Sequence, residues 1–268
     1  MQLSIYQVDA FTNTLFNGNP AAVVPLQQWL GAEVMQSIAA ENNQSETAFL
    51  VQGDDGRYAI RWFSPLTEID FCGHATLASA FILFRLQPEL AEITFSADVV
   101  GDLQVSRELD GRISMRFPRL DPAPVEEVPA ALLSGLSLTP LRVLANRQAW
   151  FAVYDDEQSV LQVQQDPAQL KLLAPRDVVV TAPGSQSDFV SRYFWPANGG
   201  LEDMVTGSIH AGLAPYWSAQ LGKAELLAIQ ASSRGGRLDC AVHDDHVQIS
   251  GHAVLYLEGL INCPESPH

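Results

Sequence analysis

The chain has 268 residues, 47% of them apolar, and a formal net charge of −16. That length and apolar share allow one large or two medium domains with substantial cores. The excess of acid opposes sustained contact with nucleic-acid phosphates or anionic lipid, so neither nucleic acid nor membrane is an expected partner.

In chain order, Ser4 to Phe11 reads as a strand, followed by a Gly18-Asn19-Pro20 turn and a second strand from Ala21 to Pro25. Leu30 to Asn42 carries Val34, Ile38 and Ala39 at helical spacing and exits through Asn42-Asn43, which suits a short amphipathic helix. Ser45 to Val51 returns to strand, Gly53-Asp54-Asp55-Gly56 is a turn, and Arg57 to Ser64 alternates as a strand. Ala75 to Leu86 is apolar on nearly every face, so this predicted helix has to be buried all round. Asp98 to Leu109 and Arg112 to Pro118 are two further strands joined at Asp110-Gly111.

Pro118, Pro122, Pro124, Pro129 and Pro140 then crowd one stretch, and the domain boundary is placed there, giving domains 1–120 and 121–268. The second half repeats the first. Arg61-Trp62-Phe63-Ser64-Pro65 returns as Arg192-Tyr193-Phe194-Trp195-Pro196, and Cys72-Gly73-His74 returns loosely as Thr206-Gly207-Ser208. Thr47-Ala48 is matched with Thr181-Ala182, which makes Val180 the counterpart of Glu46, and Gly101-Asp102-Leu103 is matched with Gly236-Arg237-Leu238. The second helix runs from about Ser208 and is shortened or kinked by Gly212 and Pro215. Ala253 to Leu260 has no mate in the first copy and is expected to cross back and complete the N-terminal domain. The expected fold is therefore α+β: two similar pseudo-twofold-related domains, each a curved sheet or barrel around a central buried helix, with a ligand cleft between them.

No basic, apolar leader opens the sequence, so no secretory signal is expected. The longest apolar run, Ala75 to Phe84, is far short of the roughly 20 residues that span a bilayer. Cys72, Cys240 and Cys263 form neither a disulfide framework nor a paired zinc spacing, and a reducing cytoplasm is the expected location. His243-Asp244-Asp245-His246 looks like a metal clip but falls in a turn between two predicted strands, so no metal site is assigned. A Gly-x-Ser-x-Gly elbow, a P-loop and a dinucleotide fingerprint are all missing, which leaves hydrolase, nucleotide and NAD readings without support.

The candidate chemistry lies where the two copies differ. Each central helix is expected to start at a small-residue turn, Cys72-Gly73-His74 or Thr206-Gly207-Ser208, whose free N–H groups can hold a carboxylate or oxyanion. Tight strand-to-helix turning alone also explains Gly73 and Gly207. Glu46 stands in an otherwise small or apolar segment entering a strand, a position that suits a proton-transfer group, although a surface strand glutamate reads the same way. His74, Asp203 and Ser208 sit at or just before the helix starts, where they could fix a ligand carboxylate or polarise a carbonyl.

The set Gly18-Asn19-Pro20-Ala21, Ser45-Glu46-Thr47-Ala48-Phe49, Cys72-Gly73-His74-Ala75-Thr76 and Glu202-Asp203-Met204-Val205-Thr206-Gly207-Ser208 resembles the PhzF-like phenazine-biosynthesis isomerase family along essentially the whole chain. The resemblance implies a diaminopimelate-epimerase-like fold, a cofactor-independent site, and a homodimer. It further implies Glu46 as proton shuttle, with His74, Asp203 and Ser208 lining the substrate site. The chain differs from the phenazine branch at Cys72, where alanine is expected, and at Met204, where proline is common. More distantly it is similar to diaminopimelate epimerase and proline racemase, which use one cysteine on each helix-start turn. Here Cys72 holds the first such position and Thr206 the second. A threonine hydroxyl has no thiolate-like form near neutrality, which argues against two-thiol racemisation. The expected activity is an isomerase that shifts a proton within a small carboxylate-bearing substrate. The alternatives are an epimerase or racemase acting on an amino-acid-like substrate and a non-catalytic binding protein for a small carboxylate.

Overall fold

A computed structural model describes residues 1–264. The chain divides into two compact units, one formed by Met1–Arg116 with the segment from Ser250 onward, the other by Phe117–Ile249. Among the described residues, no helix is long and apolar enough to cross a membrane.

The first unit contains β1 (Gln2–Ala10), β2 (Asn19–Leu26), α1 (Ala32–Asn42), β3 (Glu46–Gln52), β4 (Tyr58–Phe63), β5 (Glu68–Ile69), α2 (Gly73–Leu86), β6 (Glu92–Ala97), β7 (Gly101–Arg107) and β8 (Ile113–Pro118). β1 pairs antiparallel with β2, β2 parallel with β3, and β3 antiparallel with β4, which in turn takes β5 antiparallel and β6 parallel. The turn entering β2 depends on Gly18, at φ +68°, where a Cβ would collide with the carbonyl oxygen of Ala10. The sheet wraps α2, which meets β1, β2, β3 and β7. The helix is buried from Gly73 through Ala80 and again at Ile82, Leu83 and Phe84, as an all-round apolar helix requires. On the other face of the sheet α1 seals a second cluster with Met35 and Ala39 against Ala22, Val24, Phe49 and Phe63.

The second unit runs β9 (Ala123–Pro124), α3 (Ala130–Ser134), β10 (Arg142–Ala145), β11 (Ala149–Val153), α4 (Glu157–Gln162), α5 (Pro167–Leu170), β12 (Asp177–Pro183), β13 (Phe189–Phe194), β14 (Glu202–Asp203), α6 (His210–Leu221), β15 (Glu225–Gln230), β16 (Gly236–Val242) and β17 (His246–Gly251). Its pairings reproduce those of the first: β10 antiparallel to β11, β11 parallel to β12, β12 antiparallel to β13, and β13 antiparallel to β14 and parallel to β15. The short helices α4 and α5 take the place of α1, sealing Val160, Val163 and Leu170 against Ala152 and Val180. α6 is the central helix here; it is buried from His210 to Pro215, and Trp217 Nε1 donates to Thr181 Oγ1 of β12 at 2.9 Å.

The last strand, β18 (Ala253–Asn262), pairs antiparallel with β1 from Gln2↔Asn262 to Ala10↔Ala253. In the second unit β9 holds the equivalent place beside β10.

Three expectations from the sequence change. The stretch predicted as one strand from Asp98 to Leu109 is preceded by β6, a strand the reading omitted, and turns at Asp98–Val100 before β7 begins. The second central helix starts at His210 rather than Ser208, because Gly207 to Ile209 form a tighter turn in which His210 N–H reaches Gly207 O and Ala211 N–H reaches Ser208 O. The counterpart of Glu46 is Asp177, not Val180. Arg61 pairs with Phe49 across the β3–β4 ladder as Arg192 pairs with Val180 across β12–β13, so Val180 matches Phe49. Both of these residues lie in the outer clusters. The reason is a longer connection in the second copy between Phe194 and Glu202 than between Phe63 and Glu68; residues upstream of it follow a different offset from those downstream.

Candidate active site

Glu46 opens β3 beside Ala21 of β2, and Cys72 is the extended N-cap residue of α2, so a strand start and a helix start bring Glu46, Cys72 and His74 together. Glu46 Oε2 lies 2.8 Å from His74 Nε2, with side-chain exposures of only 13% and 6%. The contact is short enough for an ion pair but lies off the line of a hydrogen bond, and Oε2 is a buried carboxylate oxygen with no hydrogen-bond partner. On the other edge of the imidazole, Nδ1 is 3.1 Å from Asn19 Nδ2 and 3.4 Å from Cys72 Sγ. Ser45 Oγ donates to Asn19 Oδ1 at 3.2 Å, which fixes the amide from behind.

Charge and burial compete here. Burial disfavours the imidazolium, while the neighbouring Cys72 sulfur and Glu46 carboxylate favour it, and the balance raises the His74 pKa above the ordinary histidine value. Burial, and then the Glu46 charge, push the Cys72 thiol up to about 11. Near neutrality Cys72 is consequently a thiol, and the Glu46 carboxylate is the charge that faces His74. At the start of α2 the first ladder bond runs from Thr76 N–H to Cys72 O, leaving the N–H groups of Gly73 and His74 ahead of the ladder. Positive dipole, imidazole and a buried carboxylate thus share one small volume. The ligand-type atoms of Glu46, Cys72 and His74 all lie within 4.8 Å of one another, a spacing that a metal ion could also bridge.

The second unit treats the equivalent turn differently. Thr206 Oγ1 donates to Asp203 Oδ2 at 2.6 Å, and Thr206 N–H donates to Gln230 Oε1 at 2.8 Å. Gln230 Nε2 donates back to Asp203 O at 3.0 Å, so this fully buried amide clamps the whole Asp203–Thr206 turn. Thr206 is a brace for Asp203 rather than a substitute for a thiol. Gly207 and Ser208 follow, and Ser208 Oγ accepts from Gln148 Nε2 at 2.9 Å. His210, wholly buried, donates from Nδ1 to Thr206 O at 2.9 Å; burial lowers its pKa to about 4, and Nε2 stays without a partner.

The structure therefore gathers Glu46, Cys72, Gly73 and His74 in one cluster, and Asp203, Thr206, Gly207 and Ser208 around a second turn. The sequence reading missed Asn19 as a contact of His74, and also Gln148, Asp177, Tyr193 and Gln230. Gln230 had a signal, an amide ending an alternating apolar strand. Asp177 had one in the repeat, once the register is corrected. The motif His243 to His246 is the turn between β16 and β17, its two imidazoles stacked with centroids 4.4 Å apart.

Residues 8–259 match the family of phenazine biosynthesis-like proteins. An uncharacterized isomerase of Pseudomonas aeruginosa is 47% identical over 98% of this chain and 100% of its own length. A phenazine biosynthesis protein of the PhzF family from Enterococcus faecalis, known from its crystal structure, superposes with a TM-score of 0.93 at 41% identity, covering 98% of this chain and 100% of that one. A hydroxyproline epimerase from Agrobacterium vitis shares the fold at a TM-score of 0.57 and 11% identity, over 97% of this chain and 92% of its own. Matched along nearly its whole length, this chain belongs to the phenazine biosynthesis-like family of isomerases, on the fold that epimerases also use.

Proposed function

We propose that the protein is a cofactor-independent isomerase that moves a proton within a small carboxylate-bearing substrate, with Glu46 as the shuttle. One observation carries this reading: a buried carboxylate oxygen, Glu46 Oε2, that has no hydrogen bond and lies against His74 at the head of a buried helix. Burying a carboxylate costs stability even beside an imidazole, and such a cost is expected where the group has chemistry to do. In the proposed step Glu46 takes a proton from an acidified C–H, becomes a carboxylic acid, and returns the proton to a nearby carbon on the same face. Meanwhile His74 and the Gly73 and His74 N–H groups stabilise the delocalised anion. Asp203, Ser208 and Gly207 hold the substrate, with Thr206 bracing Asp203. The proposal includes a homodimer working in the cytoplasm.

In heavy water, without added cofactor, the wild-type protein is expected to incorporate deuterium into a member of a panel of small amino and unsaturated acids, read by NMR. Glu46→Gln is expected to cut that exchange by at least about a hundredfold, the scale of a lost general base, while leaving the thermal midpoint within a few degrees. Retained exchange in Glu46→Gln would remove the assignment.

A second reading rests on the Cys72 contact with His74: an epimerase in which thiol and carboxylate serve opposite faces of one carbon. Inversion at a single carbon together with loss of exchange in Cys72→Ala would favour it, whereas a migrating double bond in an active Cys72→Ala favours the single shuttle.

A further inference from the structure

The corrected register places a carboxylate at the same strand start in both copies, Glu46 in β3 and Asp177 in β12. Their connections differ. Glu46 touches the residue after the helix-start glycine directly, His74 Nε2 at 2.8 Å. Asp177 reaches the equivalent residue, Ser208, through two intervening side chains. Tyr193 Oη donates to Asp177 Oδ2 at 2.8 Å, Gln148 Nε2 lies 3.4 Å from Tyr193 Oη, and the same Nε2 donates to Ser208 Oγ at 2.9 Å. The far oxygen of Asp177 accepts from Asn198 Nδ2 at 2.8 Å, and Asp177 N–H donates to Gln148 O at 3.1 Å, so the chain is anchored at both ends.

The direction of these bonds is set by their chemistry. A carboxylate can only accept, so Tyr193 gives its single proton to Asp177 and offers only a lone pair to Gln148. Burial, and then the neighbouring Asp177 charge, hold the Tyr193 pKa well above that of a free phenol, so that proton stays in place. Gln148 must then present its NH2 group, whose second N–H goes to Ser208 Oγ. With that oxygen already accepting, the Ser208 proton is turned outward, away from the chain.

We propose that Asp177, Tyr193 and Gln148 are positioning residues that fix the Ser208 hydroxyl as a donor to the carboxylate of the ligand. The proposal deepens the reading of Ser208 as a substrate-binding group and rests on it. It explains why the second copy keeps a buried acid at this strand start: the acid sets the polarity of the amide and hydroxyl, and takes no proton from the ligand.

The test uses the full-length protein and benzoate as a plain carboxylate probe, titrated by ligand-observed NMR, with benzamide as the uncharged control. Ser208→Ala is expected to weaken benzoate binding about tenfold, the value of one hydrogen bond to a charged group. Gln148→Leu is expected to weaken it by a similar factor, and the double variant by no more than Ser208→Ala alone, because both remove the same interaction. Gln148→Glu keeps the shape but can only accept as a carboxylate; at pH 8 it is expected to bind benzoate more weakly than Gln148→Leu, and to recover toward the wild type at pH 5 as the introduced acid protonates. Repulsion between the introduced carboxylate and benzoate acts in the same direction, so the comparison is repeated in a Ser208→Ala background, where only repulsion remains and a smaller pH dependence is expected. If Ser208→Ala weakens binding and Gln148→Leu does not, the orienting chain is overturned while the Ser208 reading stands. If Ser208→Ala has no effect, or the wild type does not bind benzoate in preference to benzamide, both are overturned, and the Glu46 exchange experiment still tests the shuttle independently.

Discussion

Cys72 shows how neighbours decide what a side chain can do. At the N-cap of a helix a thiol would normally gain acidity from the dipole, but here burial and the Glu46 carboxylate work the other way and take it to about 11. Alkylation by iodoacetamide, followed by intact mass, is therefore expected to leave Cys72 unmodified at pH 7 and to accelerate as the pH climbs toward 11. Rapid modification at pH 7 would show a thiolate already present and strengthen the two-base reading. Glu46, Cys72 and His74 were picked out in the sequence by the unequal repeat and the family resemblance, since a strand glutamate or a lone histidine also reads as structural. Asn19 and Gln148 were not, because a lone amide in a strand or turn carries no distinguishing pattern until the fold shows what faces it.

At the level of elements, the two central helices succeed by different means. α2 is packed by its own apolar side chains, whereas α6 comes so close to the sheet at Gly212 that a Cβ there would meet Phe151 Cζ at 2.8 Å and Asn146 Nδ2 and Leu120 O at 2.9 Å. Asn146 Nδ2 itself donates to Leu120 O at 2.7 Å, so these atoms have no slack. Gly212→Ala is expected to destabilise the protein by about 1–3 kcal/mol by overpacking, despite the better helix propensity of alanine, as measured by urea unfolding. The sequence reading placed Gly212 and Pro215 as helix-weakening residues; the structure shows the glycine to be a packing requirement. The alternating strands and the all-apolar helix were readable from periodicity. The three-residue register error in the repeat was not avoidable from short matches, since Thr-Ala occurs at both Thr47 and Thr181 but on strand positions that do not correspond.

For the molecule as a whole, pH enters through His210, a group that takes no part in the proposed proton transfer. Burial depresses the His210 pKa to about 4, below the 6.5 of a free histidine. Between those values the unfolded chain binds a proton that the folded one refuses. The contribution of His210 is thus complete above pH 6.5 and is lost as the pH falls toward 4, a difference of about 3 kcal/mol. Urea unfolding at pH 7 and pH 4.5 is expected to show a smaller loss of stability in His210→Asn than in the wild type; equal losses would assign the acid sensitivity to other groups. The duplication was legible in its main motifs but not in its full register, and its lesson for the site lies in the unequal contents of two similar frames. The first frame also has an unusual origin in time. β1 is held on one side by β2 and on the other by β18, so its ladder joins segments that precede and follow the Phe117–Ile249 unit in sequence. On the ribosome the Phe117–Ile249 unit is synthesised as one continuous stretch, while the edge of β1 waits bare for β18 to emerge. The half that carries Glu46 and His74 is therefore the last to be completed, and until then its open edge is the place where a nascent chain is exposed to pairing with another.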